Sequence, residues 1–256
     1  MPRFNTALVT GASSGIGTAY CKALAKEQCN LVITARDNTK LTAIAKELAA
    51  DYNIKVYVIA QDLSNPKAPE LIYDFTQKNN LSIDLLINNA GHGDNNDFTT
   101  ATLATHNNMI AAMLSSTVAL CHLYLPNMLS NKHGHIINVA STAGLIGFAV
   151  KGKFARSLYR PIKTFIVSFT QQLANTYRSE GIKLQCLCPG LTITEFHNRI
   201  GEKDLYTSIP KIFWMSAANV VSYSLKHASS KSLRPRIPGI INKILVFIYK
   251  ICNILL

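Results

Sequence analysis

Charged side chains are scarce in this chain. They make up 16% of 256 residues against a hydrophobic share of 48%, which excludes a disordered polypeptide and calls for one large core. Acidic residues are scarcer still, with 14 Asp and Glu against 26 Lys and Arg, a formal net charge of +12. An excess of that size suits nucleic acid, anionic lipid or a phosphorylated ligand. No helical stretch carries a dense basic face interleaved with aromatics, which argues against nucleic acid and favours a phosphate-bearing ligand and a membrane surface. The six cysteines (Cys21, Cys29, Cys121, Cys186, Cys188, Cys252) form no CxxC pair, and HGH at His133–His135 matches no metal motif. No metal is therefore assigned, and a reducing, cytoplasmic setting is expected. No secretory signal is expected either, because MPRFNTALVTGASS runs straight into an apolar strand and a glycine loop.

Short apolar runs alternate with amphipathic stretches along the chain. NTALVTG precedes AYCKALAKEQ, NLVITAR precedes KLTAIAKELAADY, KVYVIAQDL precedes PELIYDFTQ, and DLLINNAG precedes a long helical stretch to Asn131. HIINVAS, KTFIVSFTQQLANTYRSEG and KLQCLCPG continue the pattern. Continuous Val/Ile/Leu runs are the mark of strands buried on both faces, and a helix after each gives a doubly wound α/β fold of the Rossmann type. With no linker or repeat to divide it, the expectation is a single domain over 1–235, a parallel sheet flanked by helices. A substrate loop is expected at about 195–215, followed by an apolar C-terminal helix over 236–256.

TGASSGIG (Thr10–Gly17) lies between a strand and a helix. Its glycines, Gly11, Gly15 and Gly17, let the backbone turn tightly and approach a pyrophosphate held by helix N-terminal amides. NNAG (Asn88–Gly91) ends the fourth strand, NVASTAG the fifth, and CPGLTITEF follows the sixth. Four motifs in this order over roughly residues 5 to 196 resemble the short-chain dehydrogenase/reductase family. More loosely, with IPGIINKIL near the end, they resemble its ketoacyl or hydroxysteroid reductase-like branch.

The resemblance implies a nicotinamide cofactor, with Ser13, Ser14 and Ile16 joining the three glycines around its phosphates. In LVITARD, Ala35 stands at the position where an NAD site carries an acid, and Arg36 beside it suits a 2′-phosphate. NADP(H) is therefore expected rather than NAD(H), with Asp37 read as the cap of the next helix. Asp62, with Leu63 beside it, corresponds to the adenine-binding position. Asn88, Ala90 and Gly91 correspond to the adenine-ribose side, and Pro189, Gly190, Ile193 and Thr194 to the positions that hold the carboxamide.

The chemistry implied is hydride transfer to or from a carbonyl carbon, with Tyr159 as proton donor and acceptor, Lys163 favouring its phenolate and Ser141 binding the carbonyl oxygen. Tyr159 and Lys163, four apart, share one helix face. The family places its tyrosine about thirteen residues after the serine, which here is Phe154, with Leu158 four further on. On that alignment the chain is a dead relative. Downstream register favours Tyr159, because Lys163 stands 26 residues (189 − 163) before Pro189, as in the family. The excess then falls in a loop, where insertion costs little. Pro161 is compatible with a helix that starts close to Tyr159. Met113 replaces the asparagine that many members use to hold a relay water.

Ile240, Ile241, Ile244, Leu245, Ile248, Ile251, Cys252 and Leu255 recur at helical spacing with Lys243 and Lys250 between them. This segment suits peripheral membrane docking, burial on the protein itself, or a second subunit. Lys151, Lys153 and Arg156, with Arg160 beyond, border the expected substrate mouth. The functional expectation is reduction of a hydrophobic ketone or 3-ketoacyl carbonyl to an alcohol by a homodimer or homotetramer. A nucleotide-binding sensor or scaffold with weak or lost catalysis, and a peripheral membrane protein of lipid metabolism, remain alternatives.

Overall fold

A computed structural model describes residues 3–93, 97–146, 157–196, 208–230 and 232–252. Phe154, Lys151, Lys153, Arg156 and residues 197–207 of the expected substrate loop lie outside the described residues.

The apolar runs pair as six parallel strands: β1 (Thr6–Thr10), β2 (Asn30–Ala35), β3 (Val56–Ala60), β4 (Leu85–Asn88), β5 (Gly134–Val139) and β6 (Ile182–Leu187). Their order across the sheet is β3-β2-β1-β4-β5-β6. Every residue of β1, β4 and β5 is buried, as expected of central strands covered on both faces, whereas β3 at the edge is only partly covered. Helices α1 (Gly15–Lys26) and α2 (Asn38–Tyr52) pack on one face through Tyr20, Leu24, Leu41 and Leu48. On the other face α3 (Ala68–Lys78) contributes Ile72, and α5 (Ser116–Ser130) contributes Leu120, Tyr124 and Leu125. Helix α6 (Tyr159–Tyr177) extends that layer beside β6. This is the doubly wound single-domain architecture that the alternating pattern implies.

The strand order reverses between β1 and β4, so the loops leaving their C-terminal ends diverge and open a crevice there. Helix α4 (Leu103–Ile110) borders it and continues into α5 through one wide π turn, Ala111–Ser115. Two short strands, β7 (Thr192–Ile193) and β8 (Met215–Ser216), pair beyond β6, and α7 (Ala217–Lys226) follows on the α1 face.

Arg236 then pairs with β6 at one position: its N–H donates to Cys186 O (2.7 Å), and its carbonyl accepts from Cys188 N (2.8 Å). Pro235 and Pro238 on either side carry no N–H, which keeps this bridge from growing into a strand. The chain turns there and α8 (Ile240–Cys252) lies back across the crevice.

Candidate active site

The first turn out of β1 is shaped by its glycines. Gly11 and Gly15 hold φ of +64° and +57°, the left-handed region. At Gly17 the constraint is proximity, since a Cβ there would lie 2.1 Å from Gly11 O. Asn89 braces the turn from β4: its Nδ2 donates to Thr10 O (2.9 Å) and Gly11 O (3.3 Å), and its backbone N–H donates to Thr10 Oγ1 (2.9 Å).

Residues from this turn and from the ends of the other strands line a cavity of about 890 Å³. The expected residues Gly11, Ser13, Ser14, Gly15, Ile16, Arg36, Asp62, Leu63, Ala90, Gly91, Lys163, Pro189, Gly190 and Thr194 are all on its wall, together with Ser141 and Tyr159. Three are not. Gly17 sits beneath the turn, Ile193 is 57% exposed, and Asn88 faces the opposite side of the sheet. The Asn88 amide donates to Asn138 Oδ1 (2.9 Å) and toward Cys121. Side chains alternate across a strand and its extension, so Asn89, one residue on, takes the position in the crevice.

At the end of β2, Ala35, Arg36, Asp37 and Lys40 line the cavity wall. Asp37 caps α2, its Oδ1 accepting from Lys40 N at 3.0 Å. Burial raises the Asp62 pKa, but hydrogen bonds from Ser64, with Arg36 and His92 nearby, outweigh it and hold this carboxyl below the ordinary aspartate range.

Beyond β5, Ser141 caps a short 3₁₀ turn, Thr142–Gly144, accepting from Ala143 N at 3.1 Å. The turn is fastened to α6 in two ways. Thr164 Oγ1 donates to Gly144 O (3.2 Å), and a Cβ at Gly144 would lie 2.7 Å from the Lys163 carbonyl. Helix α6 starts at Tyr159, so Pro161 falls in the first turn, where its missing N–H costs nothing. The outcome is that Ser141 and Tyr159 come together on one wall of the cavity, and Lys163 Nζ lies 5.6 Å from the centre of the Tyr159 ring. The 18 residues (159 − 141) between serine and tyrosine do not separate them in space.

Burial pushes the Tyr159 phenol up to about 12, against the lowering effect of the neighbouring Ser141 hydroxyl. Burial also brings the Lys163 ammonium down to about 8, opposed by the Cys188 and Cys186 thiols. Lys163 Nζ donates to Val139 O at 2.8 Å. Met113, fully buried in the π turn, packs over Gly91 beside this ammonium: a Cβ at Gly91 would be 3.4 Å from Met113 Cε and 3.7 Å from Lys163 Nζ. Wide turns of this kind recur at functional sites because they re-aim the residues next to them. Asn108, on α4, lines the cavity instead.

Several contributors lie where no motif pointed. Thr105 and Asn108 come from α4, and Asn242 and Leu245 reach in from α8, while Arg160, expected at the substrate mouth, is on the cavity wall. Arg160 is held by Ile146 O at 2.6 Å. Asn242 is 7% exposed, donates to Pro238 O (2.9 Å) and presses on Gly190, where a Cβ would be 2.3 Å from Asn242 Oδ1. The C-terminal helix is therefore a wall of the cavity. Its helical spacing was legible in the sequence, but which face would meet Gly190 was not.

The short chain dehydrogenase family pattern matches residues 5–205. The chain is 31% identical over 188 residues to an uncharacterized oxidoreductase of Staphylococcus saprophyticus, covering 73% of this chain and 78% of that protein. It is 28% identical over 245 residues to a human very-long-chain 3-oxoacyl-CoA reductase, covering 91% and 75%. Among solved structures, a short-chain dehydrogenase from Sphingobium yanoikuyae in complex with NADPH superposes with a TM-score of 0.83 at 26% identity, covering 98% of this chain and 94% of that one. Motifs, fold and relatives agree: the chain is an oxidoreductase of the short chain dehydrogenase family.

Proposed function

We propose that the protein is an NADP(H)-dependent carbonyl reductase in which Ser141, Tyr159 and Lys163 handle the carbonyl oxygen and its proton. The observation that carries this reading is that Ser141, Tyr159 and Lys163 share one wall of the cavity, with Lys163 Nζ 5.6 Å from the centre of the Tyr159 ring. The residues present fit a dinucleotide. The glycine turn leaves a cradle that a side chain would fill, and the β2 end offers Arg36 and Lys40 while the nearby Asp37 is committed to capping α2. Arg36 suits a 2′-phosphate, Asp62 an adenine amino group, and Pro189, Gly190 and Thr194 the carboxamide end. The NADPH complex of the Sphingobium protein supports the same choice.

When bound, the nicotinamide supplies the hydride. Ser141 Oγ holds the substrate carbonyl oxygen beside the Tyr159 hydroxyl. With its pKa raised to about 12, Tyr159 keeps its proton at neutral pH and delivers it to that oxygen as negative charge develops there. Lys163, titrating near 8, is the group that returns a proton to Tyr159. Apolar walls from Ile146, Phe196, Phe213 and Leu245 suit a hydrophobic ketone or a 3-ketoacyl chain, in keeping with the resemblance to the human 3-oxoacyl-CoA reductase.

Tyr159→Phe tests the assignment. Turnover of NADPH with a panel of hydrophobic ketones and 3-ketoacyl thioesters is expected to fall by roughly 10²–10⁴-fold with NADPH binding retained. A second reading, a nucleotide-binding protein without turnover, draws on Met113 in place of a polar relay residue. NADPH binding with no turnover on the whole panel, in wild type and variant alike, would establish that reading instead.

A further inference from the structure

Helix α8 has one face committed and one face bare. Asn242 and Val246 are buried against the protein, while Ile240 (69% exposed), Phe247 (65%) and Ile248 (51%) project outward together with Ile244 and Ile251. Their spacing places them on one side of the helix. Ile212, 69% exposed, extends the patch, since it shares a small hollow with Ile240 and Ile241. The patch runs into the cavity: Leu245 is 47% exposed and also lines the cavity wall, as does Phe213 next to Ile212.

Charge decides what covers it. After Asp204 the sequence holds seven Lys and Arg and no Asp or Glu, although the whole chain has 14 acids. Lys211, Lys243 and Lys250 are exposed around the patch. A twofold contact of α8 with its own copy would set cation against cation with no counterion in the segment, a costly arrangement in an interface. A bilayer containing anionic lipid supplies both an apolar layer for the isoleucines and phenylalanine and a negative surface for the lysines. The 13 described residues of α8 are about 20 Å long, short of a hydrocarbon core of about 30 Å, and their apolar face flanked by lysines suits a helix lying in the interface. The run Leu103–Ser130 is long and apolar enough to cross a membrane, but half of its apolar window is buried inside the protein.

We propose that the bare face of α8, with Ile212, docks the protein on an anionic lipid surface, and that the adjoining cavity mouth takes an apolar carbonyl substrate directly from the lipid. The second clause rests on the carbonyl reductase reading; the docking itself does not. Entry from the lipid spares such a substrate the passage through water that limits its free concentration.

Flotation of the full chain with vesicles tests this, using phosphatidylcholine alone and phosphatidylcholine mixed with phosphatidylglycerol. Binding to the mixed vesicles is expected, weakened by added salt and by omission of the anionic lipid. The double substitution Phe247→Ser/Ile248→Ser is expected to reduce it by about tenfold or more while leaving the melting temperature unchanged. If the reductase reading also holds, the variant keeps wild-type turnover of a water-soluble ketone and loses turnover of a long-chain ketone presented in vesicles. A protein that floats but reduces nothing keeps the docking and removes the substrate route. Absence of flotation, or flotation untouched by the double substitution, overturns the docking. So does a concentration-dependent dimer in sedimentation that the same substitution dissociates, since a second copy then covers the face.

Discussion

Gly190→Ala isolates the seat of α8 on the site. The added Cβ would lie 2.3 Å from Asn242 Oδ1, 2.6 Å from its Cγ and 2.7 Å from its Nδ2, so the whole amide blocks it. Ordinary contact begins at 3.4 Å, which requires Asn242 to retreat by about 1 Å (3.4 − 2.3). Asn242 is tied to Pro238 O and buried, so either that bond breaks or α8 lifts away from the cavity. Overpacking of this kind costs about 1–3 kcal/mol, and in a domain of this size each kcal/mol lowers Tm by roughly 2–4 °C. A fall of roughly 2–12 °C is expected. Asn242→Ala alone loses the buried hydrogen bond to Pro238 O and a longer one to Met215 Sδ, about 1 kcal/mol, and also removes the obstacle. The double variant should therefore be more stable than the sum of the single changes allows, by about 1–2 kcal/mol in urea unfolding. Additivity within about 0.5 kcal/mol would show that α8 does not rest on Gly190, and the assignment of α8 as a cavity wall would be wrong.

Arg36→Ala is expected to weaken NADPH binding by about 10–100-fold and leave NADH nearly unaffected, as measured by fluorescence titration; equal losses for both would remove Arg36 from the 2′-phosphate. Lys163 gives a pH signature in stability. Its folded pKa near 8 is below the ordinary 10.5, so the unfolded chain binds the proton more tightly and the folded state is penalised below pH 8. The Lys163 penalty lifts as pH rises from 8 to 10.5, a contribution of roughly 3 kcal/mol, while Cys21, Cys29 and Cys121, raised to about 12 by burial, act in the opposite sense above pH 9 and Tyr159 above pH 10. Urea unfolding of wild type and Lys163→Met at about pH 7.5 and pH 10 isolates it: the stability of wild type relative to the variant should rise by roughly 2–3 kcal/mol between the two, the thiol contribution cancelling in the difference. Met113→Asn places an amide in a fully buried position and should cost about 1–3 kcal/mol; an unchanged Tm would mean that a polar partner waits beside Lys163.

Local patterns carried much of the fold. Unbroken Val/Ile/Leu runs specify strands covered on both faces, and the glycines of TGASSGIG specify a turn that admits no side chain at Gly17, because both depend on neighbours a few residues away. The capping role of Asp37 was legible for the same reason. The division of labour in NNAG was not: whether Asn88 or Asn89 faces the crevice depends on which face of β4 meets α5, a matter of parity that the dipeptide does not encode.

By itself, then, the sequence determined the alternating α/β order, the glycine turn and the register of Lys163 with Pro189. Tertiary structure alone decided that an 18-residue separation still joins Ser141 to Tyr159, because the turn at Gly144 is pinned to α6, and that the last helix becomes a cavity wall. Both are contacts between segments far apart in the chain, set by packing across the crevice, and no local periodicity records them.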